Sequence, residues 1–430
     1  MTGRGANAVL VLLAASTIAR ANGRPPATSS IQFRAEHETD VLLGMTFGVV
    51  LSHDDGVTWQ WMCEAAVGYG GIYDPRFLWF PSGVIFATTT TGLRVSRDGC
   101  TFAETPAFGT KFVSAIARGP DNALYVAVSS PTDTNIYKST DEGLTFPRSA
   151  PGPANTWWQS LAVAPSDPNR IYLAGWQFTS DPPKTLLLRR SLDGGRTFSE
   201  LSFDGFDSTS DTSIEIAAIS PTDPDLVFVH VTNQRDANGD RIYRSSDGGK
   251  TFTKVLDVGD SPASLVLRRT GEILVAAPKQ GMRRSTDGGV TFQAIEMSPA
   301  LHARCLVESA SGTLWACGEN YADEHVGVAR SADGMTWTKA LRYQDISQPV
   351  ACATGTPQQT CTVQSWCTLR TQLGVTANPT SCPAGSDSAK PDPRVKPAPK
   401  GCCDSGRGSS TTLAALVVGA TALRRRRRRR

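Results

Sequence analysis

The chain has 430 residues, 40% of them hydrophobic and 19% charged, with 39 Gly and 27 Pro, an ordinary composition for a soluble globular protein with many turns. Its formal charge of +3 misleads, because seven of the 43 basic residues are the run Arg424 to Arg430 and two more, Arg4 and Arg20, precede an expected cleavage site. The remainder sets 34 basic residues against 40 acidic ones, which gives nucleic-acid binding no electrostatic support.

At the N-terminus, Arg4, the apolar run Ala6 to Ala15 and Ala19-Arg20-Ala21 follow one another in the order of a secretory signal peptide, residues 1–21. Export makes the ten cysteines candidates for disulfides. No C-x-x-C or His-rich spacing occurs, so no metal or cofactor is expected.

From Ile31 to Tyr343 one motif, S-x-D-(x)-G-x-T-[FW], returns seven times, starting at Ser52, Ser96, Ser139, Ser191, Ser245, Ser285 and Ser331. Steps of 40 to 54 residues between these serines match the length of a four-stranded propeller blade. Each period holds an apolar run, a Pro/Asp/Gly turn, a second β-rich run, a third run ending at the motif and a short fourth, as in EIAAISPTDPD, LVFVHVT, RIYRSSDGGKTF and TKVL. The expected fold is all-β: one seven-bladed β-propeller, monomeric, with the motif as the turn between strands three and four. Asp54, Asp98, Asp141, Asp193, Asp247, Asp287 and Asp333 are then structural, since a feature repeated in every blade serves the blade. Their carboxylates accept bonds within their own turns, Gly supplies positive φ, and Phe or Trp re-enters the sheet stack. The copies at Ser96 and Ser331 lack one residue and should turn more tightly.

At these residues the chain resembles the Asp-box (BNR) repeat propellers. The wording APSDPNRIYLAG from Ala164 resembles the sortilin-like, xyloglucanase and photosystem II assembly-factor group. Sialidases share the box but carry an R-I-P segment, and none occurs here.

The boxes and the one-to-two turns share one rim, so the two-to-three and four-to-one loops share the other. Aromatics concentrate on that second rim, at Tyr69, Tyr73, Trp157, Trp158 and Tyr321. Arg76, Gln159, Glu215 and Arg304 stand near the starts of first strands, where they can converge on the channel mouth. These nine residues are the candidate ligand site, with a glycan or an extracellular protein as partner. The expected function is a non-catalytic, surface-displayed binding module. The alternative is an extracellular glycoside hydrolase, sialidase-like or xyloglucanase-like, working on the same rim. Asp236, Asn238 and Asp240 open like a calcium loop, but Arg241 stands where such a loop needs Gly, and Asn238-Gly239 makes an ordinary hairpin turn.

Cys305 and Cys317 are equidistant from the hairpin tip at Ser311 and should bridge strands one and two of blade seven, which leaves Cys63 and Cys100 as a second pair. Residues 344–382 form a small Cys-rich module in which Cys352, Cys361, Cys367 and Cys382 are expected to close two bridges among themselves. A Pro-rich linker, 383–400, follows. Residues 401–430 carry Cys402 and Cys403, an apolar stretch Leu413 to Leu423 and seven Arg, and resemble the MYXO-CTERM sorting tail of myxobacterial surface proteins. That resemblance implies processing near Cys402 or Cys403 and retention at the cell surface or outer membrane.

Overall fold

The second strand of each repeat lies among the most apolar parts of the chain, and its surroundings explain why. LYVAV (Leu124–Val128) and ILVAA (Ile273–Ala277) are buried along their whole length, because sheets packed on both faces leave neither face to water. The computed structural model describes residues 24–71, 73–233 and 239–376. In it, seven antiparallel sheets each take four strands from consecutive chain. The first strands, Thr28–Arg34, Phe77–Trp79, Val113–Arg118, Thr156–Ala164, Ser213–Ile219, Ser264–Leu267 and Cys305–Glu308, neighbour one another in a closed ring. The protein is the expected all-β, seven-bladed propeller, and its cores lie between adjacent blades. Ile214, Ile216 and Val229 of blade five, for example, pack on Tyr172, Ala174 and Leu188 of blade four.

Every box closes its own turn. At the fifth, the Ser245 hydroxyl donates to Asp247 Oδ1 at 2.8 Å and accepts the Gly249 N–H at 2.8 Å. Asp247 Oδ1 accepts the Thr251 N–H at 3.0 Å, while Oδ2 accepts the Thr251 hydroxyl at 2.6 Å. Asp54, Asp141, Asp193 and Asp287 repeat this set. In the two shorter boxes the serine accepts a glycine N–H three residues on rather than four, from Gly99 and Gly334, and Asp98 and Asp333 each accept two backbone N–H groups. The Thr251 hydroxyl, and then its N–H, holds the Asp247 carboxyl well below the ordinary range; Thr197 pulls Asp193 down to about 2 in the same way.

Asp247→Ala is therefore expected to lower stability by about 1 kcal/mol at neutral pH through lost turn bonds. A carboxyl whose folded pKa is depressed contributes stability above its unfolded value, about 3.9, and loses that stability as pH falls through the folded value. In urea titrations the gap between native chain and variant should narrow below about pH 4. A gap independent of pH would remove the charge from the account of this turn.

Cys305 and Cys317 face each other across blade seven and are bridged, with Cα atoms 5.0 Å apart. The other pairings need correction. Cys63 bonds Cys361, and Cys100 bonds Cys352, so Cys63 and Cys100 do not pair, and Cys352 and Cys361 spend their sulfurs on the propeller rather than on the tail. Pairing by elimination presupposed a tail separate from the propeller, whereas the chain after Tyr343 returns to blade one. Gln348–Pro349 adds as a fifth, parallel strand to Gln60–Met62. The loop after Gln60–Met62 opens with the single-turn helix α1 (Glu64–Val67), against which α2 (Pro357–Gln364) lies, followed by α3 (Trp366–Leu373). Thr356 caps α2 by accepting the Gln359 N–H, Pro357 occupies its first turn, and Gly374 at φ 73° ends α3. Cys367 is also disulfide-bonded. The signal segment, Cys382, the linker, Cys402 and Cys403 lie outside the described residues, among which no helix is long and apolar enough to cross a membrane.

Candidate functional site

Three successive first strands are entered through an aromatic side chain on the rim opposite the boxes. Tyr73 precedes Phe77–Trp79, Phe112 precedes Val113–Arg118, and Trp157 stands second in Thr156–Ala164. Their rings touch in series: Tyr73 meets Phe112 edge-on at 5.7 Å, and Phe112 stacks on Trp157 at 4.8 Å. All three are half-buried, so they form a ledge across blades two to four that keeps part of its apolar surface in water.

Three residues beyond Tyr73, Arg76 of blade two reaches Glu215 of blade five, Nη2 to Oε1 at 2.8 Å. Blades two and five stand across the ring from each other, so this pair spans the channel. Both side chains are more than a third exposed, and an ion pair in such contact with water adds little stability. Its hydrogen-bonding groups can be exchanged for those of a ligand.

The same connection from blade one to blade two carries a perturbed carboxyl. Glu64 is half-buried, and burial pushes it up to about 7, with the Arg24 charge opposing the shift and the Asp74 charge adding to it. Asp74 itself is held by both guanidinium nitrogens of Arg24, at 2.7 and 2.8 Å. One rim loop thus presents a carboxyl that holds a proton near neutral pH and a second that is ion-paired.

Of the nine expected residues, the structure gathers Tyr73, Trp157, Arg76 and Glu215. Three others are committed to the scaffold. Trp158 is fully buried, donates its indole N–H to Thr134 O at 2.9 Å and cannot meet a ligand. The Tyr69 hydroxyl donates to Gly48 O at 2.8 Å, with Met45 O at 3.2 Å, fixing its own loop to blade one. Gln159 uses its amide oxygen to accept the Ile214 N–H, tying blade four to blade five. Arg304 and Tyr321 belong to a separate group on blade seven: Arg304 pairs with Glu319, and Tyr321, 55% exposed, rests edge-on against Tyr343. Asp240 is fully buried and is taken by protein partners, accepting the Asn233 and Ala263 N–H groups and lying 2.7 Å from His230 Nε2. Its oxygens are spent on these partners; Asp236 and Asn238 lie outside the described residues, among which no cluster of three metal-ligating side chains occurs.

Phe112 and Glu64 were not anticipated from sequence. Phe112 had a usable signal, an aromatic residue at the entry of a first strand in three consecutive repeats. Glu64 had none, because its shift comes from burial that depends on tertiary contacts.

No protein-family profile matches the chain. It is 26% identical over 248 residues to the xyloglucanase Xgh74A of Acetivibrio thermocellus, an alignment covering 45% of this chain and 29% of that enzyme. It is 28% identical over 153 residues to a probable oligoxyloglucan-reducing end-specific xyloglucanase of Neosartorya fischeri, covering 33% of this chain and 18% of that protein. The chain therefore spans less than a third of the length of these curated relatives. Among solved structures it resembles an ancestral GH74 enzyme, with TM-score 0.49, 16% identity and coverage of 67% of this chain and 43% of that one. It also resembles YCF48 bound to D1 peptide, with TM-score 0.40, 12% identity and coverage of 58% and 74%. In sequence, part of this seven-bladed propeller is similar to xyloglucanases.

Proposed function

We propose that the chain is an exported propeller of glycoside-hydrolase type that engages and cleaves a xyloglucan-class β-glucan across the rim opposite the boxes. The observation that carries this reading is the half-exposed ledge Tyr73-Phe112-Trp157, with the Arg76–Glu215 pair starting three residues beyond Tyr73 and Glu64 on the same blade-one-to-two connection. Pyranose faces are apolar and stack on aromatic rings, while their hydroxyls need charged or amide partners at the edge. The alignment with two xyloglucanases supports the same substrate class, and three disulfides among the described residues fit an oxidising compartment outside the cytoplasm. Tyr73 and Trp157 hold the sugar, Arg76 and Glu215 fix its hydroxyls, and Glu64 gives its proton to the leaving oxygen while water adds to the anomeric carbon and loses its own proton to solvent, which restores the Glu64 carboxyl. The C-terminal tail, in this reading, keeps the enzyme at the cell surface.

Incubating the purified chain with soluble polysaccharides tests the proposal. Release of reducing ends from xyloglucan, and not from an unrelated α-glucan, is expected. Retention without release would leave a binding module, and neither retention nor release would remove the glycan reading altogether.

A further inference from the structure

Propellers need their first and last blades held together, and here the four antiparallel strands of each terminal blade come from one stretch of chain. Blade one is built from Thr28 to Met62 and blade seven from Cys305 to Leu341. Direct bonds cross that seam: Thr28 Oγ1 donates to Gly327 O at 3.0 Å, Trp59 Nε1 donates to Ala340 O at 3.1 Å, the Ala310 and Ser311 N–H groups donate to the Glu38 carboxylate, and Arg330 pairs with Asp55 at 3.3 Å. What crosses it next is the chain after blade seven. Tyr343 and Ile346 are fully buried in a core shared with Leu341 of blade seven and Val50 of blade one. Ser347 donates both its N–H and its hydroxyl to Trp59 O, and Val350 N–H donates to Trp61 O at 2.8 Å. Cys352 then bonds Cys100, inside the box turn of blade two, so covalent attachment reaches a second seam.

This segment also grips the start of the rim loop. Gln358, fully buried, accepts the Cys63 N–H through Oε1 and donates Nε2 to Trp61 O, both at 2.9 Å. Cys361 bonds Cys63, and Trp366 stacks on Trp61 at 5.6 Å. The residues so held open the loop that carries Glu64, Tyr73, Asp74 and Arg76.

We propose that residues 343–375 are a strap that closes the ring, through the added strand Gln348–Pro349 and two disulfides, and positions the rim loop 63–76. The second half of this statement rests on the glycan reading of that rim; the first does not. Gln358 and the two disulfides are positioning groups, acting through Cys63 and Cys100 rather than on ligand.

The test uses the full chain with the four cysteines of the two strap disulfides changed to Ser (C63S, C100S, C352S, C361S), and separately Trp366→Ala, which leaves both bridges intact. Amide exchange should quicken by about tenfold or more in blades one and seven and in loop 63–76, with blades four and five unchanged, as for local opening at one seam. Xyloglucan binding should weaken in the same variants. Exchange that is unchanged, or that rises equally in all blades, overturns the strap. If the four-Ser variant does not fold, the blade-by-blade pattern in Trp366→Ala decides. Failure of the native chain to retain xyloglucan counts against the glycan reading, while the exchange pattern still judges ring closure.

Discussion

Trp158→Ala is expected to destabilise the propeller by about 3 to 5 kcal/mol, whereas Trp157→Ala, one residue earlier, should leave stability nearly unchanged and weaken polysaccharide retention. The two side chains point to opposite sides of one strand and so meet opposite environments. Trp158 fills the core between blades three and four with Ile136, Leu161 and Leu173. Its removal leaves a cavity and also strips Thr134 O of its indole donor. The surrounding backbone has little room to collapse, because Gly175 already lies so close that a Cβ there would clash with Trp157 O. Trp157 is half-buried and stacks on Phe112. Urea unfolding of the two variants, with retention on immobilised xyloglucan as the second reading, separates these roles. Equal stability losses would mean that both rings are packing and that the ledge is no ligand surface.

Glu64→Gln should lower the hydrolytic rate by about two to four orders of magnitude while leaving xyloglucan retention unchanged, the pattern of a lost general acid. In the proposed reading the protonated carboxyl is the active form. Burial raises Glu64 to about 7, so activity should be held below that pH and fall as pH rises through it. A free surface glutamate, with a pKa near 4.3, would already be ionised two units lower and could donate little. Steady-state rates across pH 5 to 9 check the expectation. A variant with native turnover, or a native profile flat through pH 7, would assign the proton donor elsewhere.

The fold was legible because its information is local and repeated. Each box carries the serine, aspartate, glycine and threonine that close its own hairpin, so residues near Asp247 or Asp287 declare a three-to-four turn without reference to any distant residue. Cys305 and Cys317 could be paired for the same reason, being twelve residues apart on one hairpin. Contacts across the ring left no such mark. The Cys63–Cys361 bridge joins residues 298 apart, and nothing in the composition of 344–376 announces that it folds back on blade one. The site was legible by half for a related reason. Aromatics at rim positions are visible in the sequence, but the choice between Trp157 as surface and Trp158 as core depends on strand phase, and a shift of one residue exchanges the faces. Arg76 and Glu215 were each visible at first-strand entries, yet their meeting across the channel depends on the ring's diameter.

The most direct test of the proposed polysaccharide contact is hydroxyl-radical footprinting of the full chain with and without xyloglucan. Oxidation of Tyr73, Phe112 and Trp157 should fall on addition of the polysaccharide, while Val57 and Leu144 at the box tips, 76% and 72% exposed, should oxidise as before. Protection of Val57 and Leu144, with Tyr73, Phe112 and Trp157 unaffected, would place the working face on the box rim and contradict the account.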